Sequence, residues 1–213
     1  MMGRFITIEG GEGTGKSTQL ALLAKKLNEL GIKNTITREP GGSSGGELIR
    51  KILVNGPVDK WQPVTEALLH YAARNEHLKT KILPALKKET WVLCDRFSDS
   101  TNVYQGIAQG VPMEIINTLN NIVVEPLKPD LTIILDLPPE IGLKRAKTRG
   151  GDGKRYEKMN LLFHKKLRVG FTEIAAKNPK RCVLIDAKPS IKEIAGQINS
   201  IVEERLIKNE APV

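Results

Sequence analysis

The run Gly10-Gly11-Glu12-Gly13-Thr14-Gly15-Lys16-Ser17 is the part of this chain whose residue types and spacing specify chemistry most directly. It fits G-x-x-x-x-G-K-[ST], follows a β-prone run (Arg4-Phe5-Ile6-Thr7-Ile8) and opens a helix-prone one (Thr18 to Leu30). Glycines allow the backbone to curl until successive N–H groups face phosphate oxygens, and the helix N-terminus adds partial positive charge. Lys16 suits the β- and γ-phosphates of a nucleoside triphosphate, and the Ser17 hydroxyl suits Mg²⁺. The expected triphosphate-binding set is therefore Gly10, Gly11, Glu12, Gly13, Thr14, Gly15, Lys16, Ser17 and Thr18.

Other polar groups fall at the ends of apolar runs. Trp91–Asp95 ends in an aspartate followed at once by Arg96, a pairing suited to Mg²⁺ and a phosphate oxygen. A purely structural Asp–Arg pair fits the same residues. Leu131–Asp136 ends in a second eligible aspartate, but the adjacent arginine favours Asp95 for the metal. Thr37-Arg38-Glu39-Pro40-Gly41-Gly42 turns sharply after another β-prone run, which brings Arg38 near the phosphate loop. Lys144 to Arg155 is a basic cluster. Arg145 and Arg149 share a helix face, and glycines follow. Such a segment suits a mobile lid, about 149–156, that closes over phosphates and places Arg149 and Arg155 on the transferring group.

These residues must be held by a scaffold, and the pattern of the chain specifies one. Five β-prone runs (Arg4–Glu9, Asn34–Arg38, Trp91–Asp95, Leu131–Asp136, Cys182–Asp186) alternate with helical patterns. Helices are expected from Thr18 to Leu30, stopped by Gly31, and from Thr65 to Leu86, ended near Pro84 or soon after. Two more are expected at Pro112–Glu125, closed by Pro126, and Ser190–Ile207. The expected fold class is α/β: a three-layer α/β/α sandwich around a five-stranded parallel sheet, with ligands along the carboxyl edge. One domain over 1–207 and a frayed tail at 208–213 are expected.

Composition narrows the function classes. Hydrophobic residues make up 40%, enough for a core. The net charge of +9 comes with only 4% aromatic residues and no lysine-rich tail, which favours polyanionic small substrates over nucleic acid. No apolar run is long enough to span a bilayer, and no signal pattern precedes the first strand, so a cytoplasmic location and no membrane partner are expected. Cys94 and Cys182 lie in apolar runs and read as buried thiols, and His70, His77 and His164 lack metal-ligand spacing.

Taken together, the stretches Ile8–Ser17, Thr37–Gly42, Tyr71–Arg74, Asp95–Gly106, Pro129–Asp136 and Arg155–Glu157 resemble the thymidylate kinase family of P-loop nucleoside monophosphate kinases. The resemblance covers nearly the whole chain. It implies a P-loop fold, transfer of the γ-phosphoryl of ATP to dTMP with Mg²⁺ bound by Ser17 and Asp95, and a homodimer. It implies an acceptor site of Glu12, Arg38, His70, Arg74, Arg96, Thr101, Tyr104 and Gln105, an adenine site at Arg145 and Ala187, and catalytic cations Lys16, Arg96, Arg149 and Arg155. With no arginine in the phosphate loop, the chain is similar to the bacterial type, in which the lid supplies catalytic charge. Two positions depart from the family pattern: His70 stands where Phe is usual, and Lys154 where Asp is usual. A kinase for another monophosphate (dUMP or UMP) remains an alternative. So does a nucleic-acid-associated P-loop NTPase, although the chain has no N-K-x-D.

Overall fold

The computed structural model describes residues 3–125, 127–149 and 155–208, Arg149 by its backbone alone. The expected lid loop 150–154, the closing Pro126 and the tail beyond Lys208 lie outside the described residues.

Five strands form one sheet: β1 (Phe5–Gly10), β2 (Asn34–Arg38), β3 (Trp91–Asp95), β4 (Leu131–Asp136) and β5 (Cys182–Asp186). Their order is β2-β3-β1-β4-β5 and every pairing is parallel. All five lie within a residue of the β-prone runs. Parallel strands need covered faces, and the alternation of side chains along β1 supplies both. Ile6 and Ile8 pack with Leu20, Leu23 and Leu27 of α1 (Lys16–Glu29). Phe5, on the opposite face, packs with Ala67 and Tyr71 of a later helix.

Between β2 and β3 lie α2 (Ser44–Val54), α3 (Pro63–His77) and α4 (Leu83–Lys87). The helix expected over Thr65–Leu86 is realised as α3, a π-helical turn at Leu78–Ile82 and α4. The wider turn shifts the register so that Pro84 falls in the first turn of α4, where its missing N–H is tolerated. After β3 a short α5 (Ser98–Thr101) runs into a π-helical segment, Asn102–Ala108. Then come α6 (Met113–Val123), α7 (Pro139–Arg149), α8 (Leu161–Lys177) and α9 (Ile191–Val202), which continues in π-helical form through Ile207. Helix α2 has no counterpart among the expected elements. Its N-cap Ser43 accepts from the Gly46 N–H, and Leu48, Ile49, Ile52 and Leu53 recur at helical spacing, but glycines at 45 and 46 lower the helix propensity of its first turn.

The topology selects the site. Strand β1 pairs with β3 on one side and β4 on the other, so the chain reverses direction across the sheet beside β1. A crevice opens at the carboxyl ends of strands around such a point. In the β2–β3 register Arg38 lies opposite Asp95, and in the β1–β3 register Asp95 lies opposite Ile8. Three sequence-distant strands thus deliver Arg38, Asp95-Arg96 and the phosphate loop to one edge.

Candidate active site

The loop between β1 and α1 is built by backbone freedom. Gly13 and Gly15 have φ of 69° and 93°. A Cβ on Gly13 would strike the carbonyl of Gly142 in α7, so the loop is packed against α7 as tightly as its shape allows. Helix α1 starts at Lys16 with no side chain capping its N-terminus, which leaves its first N–H groups for an anion. The Lys16 ammonium lies back over the loop, donating to the carbonyls of Gly11 (2.7 Å) and Gly10 (3.2 Å). Burial, with help from the Arg96 charge, pushes Lys16 down to about 8. Bound phosphate would supply the anion that this cation lacks. Ser17 Oγ donates to Asp95 Oδ2 at 2.6 Å. The rival carboxylate, Asp136, is held by the Arg168 guanidinium through two bonds of 2.7 Å. That geometry leaves Asp95 the better placed of the two for a metal beside the loop.

Beside the loop lies a cavity of about 420 Å³. Glu12, Gly13, Gly15, Lys16, Ser17, Thr18 and Asp95 line its phosphate end. Arg38, His70, Arg74, Arg96, Thr101, Tyr104 and Gln105 line the rest. The structure therefore brings the whole expected acceptor set together with the loop. Gly10, Gly11 and Thr14 do not line it, although Gly11 and Glu12 line a smaller adjoining pocket with Asp136 and His164. Arg145 and Ala187 meet at the other side of the loop, where Arg145 Nη1 donates to the Ala187 carbonyl at 3.0 Å.

The acceptor side is a lattice of ion pairs. Arg96, whose backbone φ is 68°, donates from Nη1 to the Gly10 carbonyl at 2.8 Å and from Nη2 to Glu12 at 3.0 Å. Glu12 also accepts from the Tyr104 hydroxyl at 2.7 Å. Burial alone would raise the Glu12 carboxyl, but Arg96, Lys16 and the Tyr104 bond bring it down to about 2. Arg74 is buried. Its Nε donates to Glu39 at 2.7 Å, and its Nη2 donates to the Phe97 carbonyl and to Thr101 Oγ1. Its Nη1 is buried with no hydrogen-bond partner among the described residues. A desolvated guanidinium N–H without an acceptor is costly, and a ligand carbonyl in the cavity would satisfy it. His70 lines the same cavity, and burial pushes its imidazole down to about 4, so it is neutral near pH 7.

Arg155 does not line the cavity either. Arg155 was expected to act from the lid on the transferring phosphoryl. Instead it is fully buried, donating to the carbonyls of Leu53, Pro57 and Val58 and paired with Glu66 at 2.5 Å. The reason is electrostatic: Glu66 is itself fully buried on α3, and a desolvated carboxylate needs a countercharge. For Arg149 only the backbone, at the end of α7, is described.

The family model described as thymidylate kinase matches residues 8–198. The chain belongs to the thymidylate kinase family. A thymidylate kinase of Caulobacter vibrioides is 50% identical over 204 residues, covering 96% of this chain and 98% of its own. One of Bradyrhizobium diazoefficiens is 50% identical over 213 residues, covering 99% and 93%. The crystal structure of thymidylate kinase from Ehrlichia chaffeensis superposes with a TM-score of 0.76 at 33% identity, covering 95% of this chain and 99% of its own. The resemblance argued from Thr37–Gly42 and Asp95–Gly106 is thereby confirmed, as is the three-layer fold.

Within this thymidylate kinase family member, several site residues were not singled out from sequence. Glu39 anchors both Arg74 and His77 (3.0 Å to Nδ1), yet it sits inside a turn motif whose Pro and Gly dominate the reading. Arg50 of α2 lines the cavity and donates to the Pro40 carbonyl at 2.8 Å, but its helix was itself missed. Glu9 accepts from the Phe97 N–H (2.7 Å) and Ser100 Oγ (2.6 Å), and burial, aided by Asp99, pushes it up to about 7. A glutamate in an apolar strand one residue before a phosphate loop was the available signal. The thiols of Cys94 and Cys182 are free and buried.

Proposed function

We propose that this chain transfers the γ-phosphoryl group of ATP to dTMP, giving ADP and dTDP, with Mg²⁺ as the metal. The observation that carries the acceptor assignment is Arg74, which lines a cavity continuous with the phosphate loop and whose buried Nη1 has no partner among the described residues. A pyrimidine carbonyl completes that donor. The donor set fits Mg²⁺: one hydroxyl (Ser17) and one carboxylate (Asp95) within 2.6 Å of each other, both hard oxygen ligands. Mg²⁺ favours few protein ligands, with substrate phosphates and water filling the rest. When bound, it neutralises charge on the phosphates.

The residues of the chain do the remainder. The loop N–H groups and Lys16 hold the triphosphate, and its adenine lies against Arg145 and Ala187. Arg96 and Arg38 hold the acceptor phosphate, with Arg96 oriented by Glu12 and Gly10. Tyr104 is fixed by its bond to Glu12 and by edge-on packing against Tyr156 and Phe163, which leaves little room for a ribose 2′-hydroxyl. His70, Thr101 and Gln105 lie beside the base. Lys16, Arg96 and the lid's Arg149 stabilise charge on the moving group. The acceptor phosphate is already ionised, so positioning and charge stabilisation dominate.

The same reading includes a homodimer in a reducing cytoplasm. Leu48 and Ile52 on α2 and Val64 and Leu68 on α3 are exposed at i,i+4 spacing on neighbouring helices, an apolar surface suited to a second copy. Sedimentation velocity should give twice the chain mass. The decisive test of function is ADP release with Mg²⁺ across dTMP, dUMP, UMP, CMP, AMP and GMP. A clear preference for dTMP is expected. Faster turnover on another monophosphate, or ATP hydrolysis stimulated by DNA without any monophosphate, would replace this reading.

A further inference from the structure

Glu66, His70 and Arg74 lie four residues apart along α3 and so share one face of it. Arg74 and His70 line the acceptor cavity. Glu66 does not, yet it is fully buried and is the most heavily bonded carboxylate in the region. It accepts from Gln105 Nε2 (2.8 Å), Gln109 Nε2 (2.7 Å) and the Tyr156 hydroxyl (2.9 Å), and it pairs with Arg155. Resting on the dTMP reading, we propose that Glu66 is a positioning residue that sets the hydrogen-bond polarity of the base pocket through Gln105 and through Tyr156 and His70.

Burial would raise the Glu66 carboxyl, but the bond from Arg155 and the nearby charges hold it below its usual range. An ionised carboxylate can only accept. Gln105 must therefore turn its NH₂ toward Glu66, and its carbonyl Oε1 is left without a partner among the described residues. Tyr156 must spend its proton on Glu66, so its oxygen accepts from His70. The His70 Nε2···Tyr156 distance is 2.9 Å, which puts the imidazole proton on Nε2 and leaves Nδ1 bare. One buried carboxylate thus fixes an amide orientation and a ring tautomer on two different elements.

Left without a hydrogen-bond partner among the described residues are one donor, Arg74 Nη1, and two acceptors, Gln105 Oε1 and His70 Nδ1, on residues that all line the cavity. That set complements the imide edge of thymine, which offers carbonyl oxygens and one N–H. Cytosine offers an exocyclic NH₂ and a bare ring nitrogen in those places, so donors meet donors and acceptors meet acceptors. Leaving a buried polar group unsatisfied in this way is expensive. Arg155 and Tyr156 also tie the residues just after the lid segment to the carboxylate that orients the base contacts.

The first test is the ratio of kcat/KM for dTMP over dCMP in Glu66→Gln, with ATP saturating. The neutral amide can donate as well as accept, so Gln105 is free to reverse, and the ratio should fall by about tenfold or more. A purely structural Glu66 would lower both values together and leave the ratio unchanged, which would overturn the proposal. Because Glu66→Gln strands the Arg155 charge and can unfold the chain, a second measurement uses the wild-type protein. Nitrogen-15 NMR of the His70 ring should show the proton on Nε2, and Tyr156→Phe should abolish that preference. A proton on Nδ1 in the wild type, or an unchanged tautomer in Tyr156→Phe, would also overturn it. Failure of the wild type to phosphorylate any imide nucleotide would instead remove the dTMP reading, and the NMR result stands apart from that.

Discussion

Arg74→Lys isolates what the guanidinium does beyond carrying charge. Arginine at this position uses Nε toward Glu39 and Nη2 toward both the Phe97 carbonyl and Thr101 Oγ1, and its buried Nη1 has no partner among the described residues. An ammonium on a flexible stem can keep the pairing with Glu39 but cannot reproduce the planar fork. Two consequences separate. Losing the bonds to Phe97 and Thr101 destabilises the fold by about 1–3 kcal/mol, roughly 2–12 °C in Tm for a chain of this size. Losing the Nη1 contact removes one charge-assisted bond to the acceptor base, about 1.5–3 kcal/mol, which is roughly a 10- to 150-fold rise in KM for dTMP. The KM for ATP should not move, because the guanidinium touches no part of the phosphate loop. Steady-state kinetics with each substrate varied in turn, alongside thermal unfolding, reads all three quantities. An unchanged KM for dTMP would refute the assignment of Nη1 to the base. An equal rise in both KM values would show that Arg74 only supports the fold.

Asp95→Asn keeps the bond to Ser17 but removes the negative charge from the metal pair. kcat/KM should fall by about a hundredfold or more, and saturation should need more Mg²⁺; an unchanged Mg²⁺ titration would point to another ligand. Arg155→Met leaves Glu66 buried without its countercharge, and about 3–5 kcal/mol of stability should be lost in denaturant unfolding. A variant of normal stability but greatly reduced kcat would instead restore the lid role expected from sequence. His70 titrates near 4 in the folded state against 6.5 ordinarily, because burial disfavours its charged form. The unfolded chain therefore binds more protons between those values. His70 contributes stability above pH 6.5 that is lost as pH falls toward 4, about 3 kcal/mol in all. His70→Phe lacks this dependence, so the stability difference between variant and wild type should shift in favour of the variant over that window. Contributions from Glu12, common to both proteins, cancel in that difference. A difference independent of pH would show that His70 is not held neutral.

Local sequence was enough for the strands, because each is a run of five or six residues rich in β-branched, aromatic or aliphatic side chains. The same holds for the phosphate loop, whose glycines and Lys16 encode a backbone shape; the residues of Thr37–Gly42 and Asp95–Gly106 were placed by resemblance, and the fold lines one cavity with Arg38, Arg96, Thr101, Tyr104 and Gln105. Helix α2 was hidden because the glycines of its first turn read as part of the preceding turn, and the π-helical turns because they follow from packing rather than propensity. Tertiary structure decided the ionic partners. Glu39 finds Arg74, Asp136 finds Arg168, and Glu66 finds Arg155. A charge removed from water must be paired wherever the fold buries it, and the nearest countercharge is a property of the packed chain. Sequence alone therefore located the chemistry, while the choice of which arginine serves substrate and which serves a buried carboxylate waited for the fold.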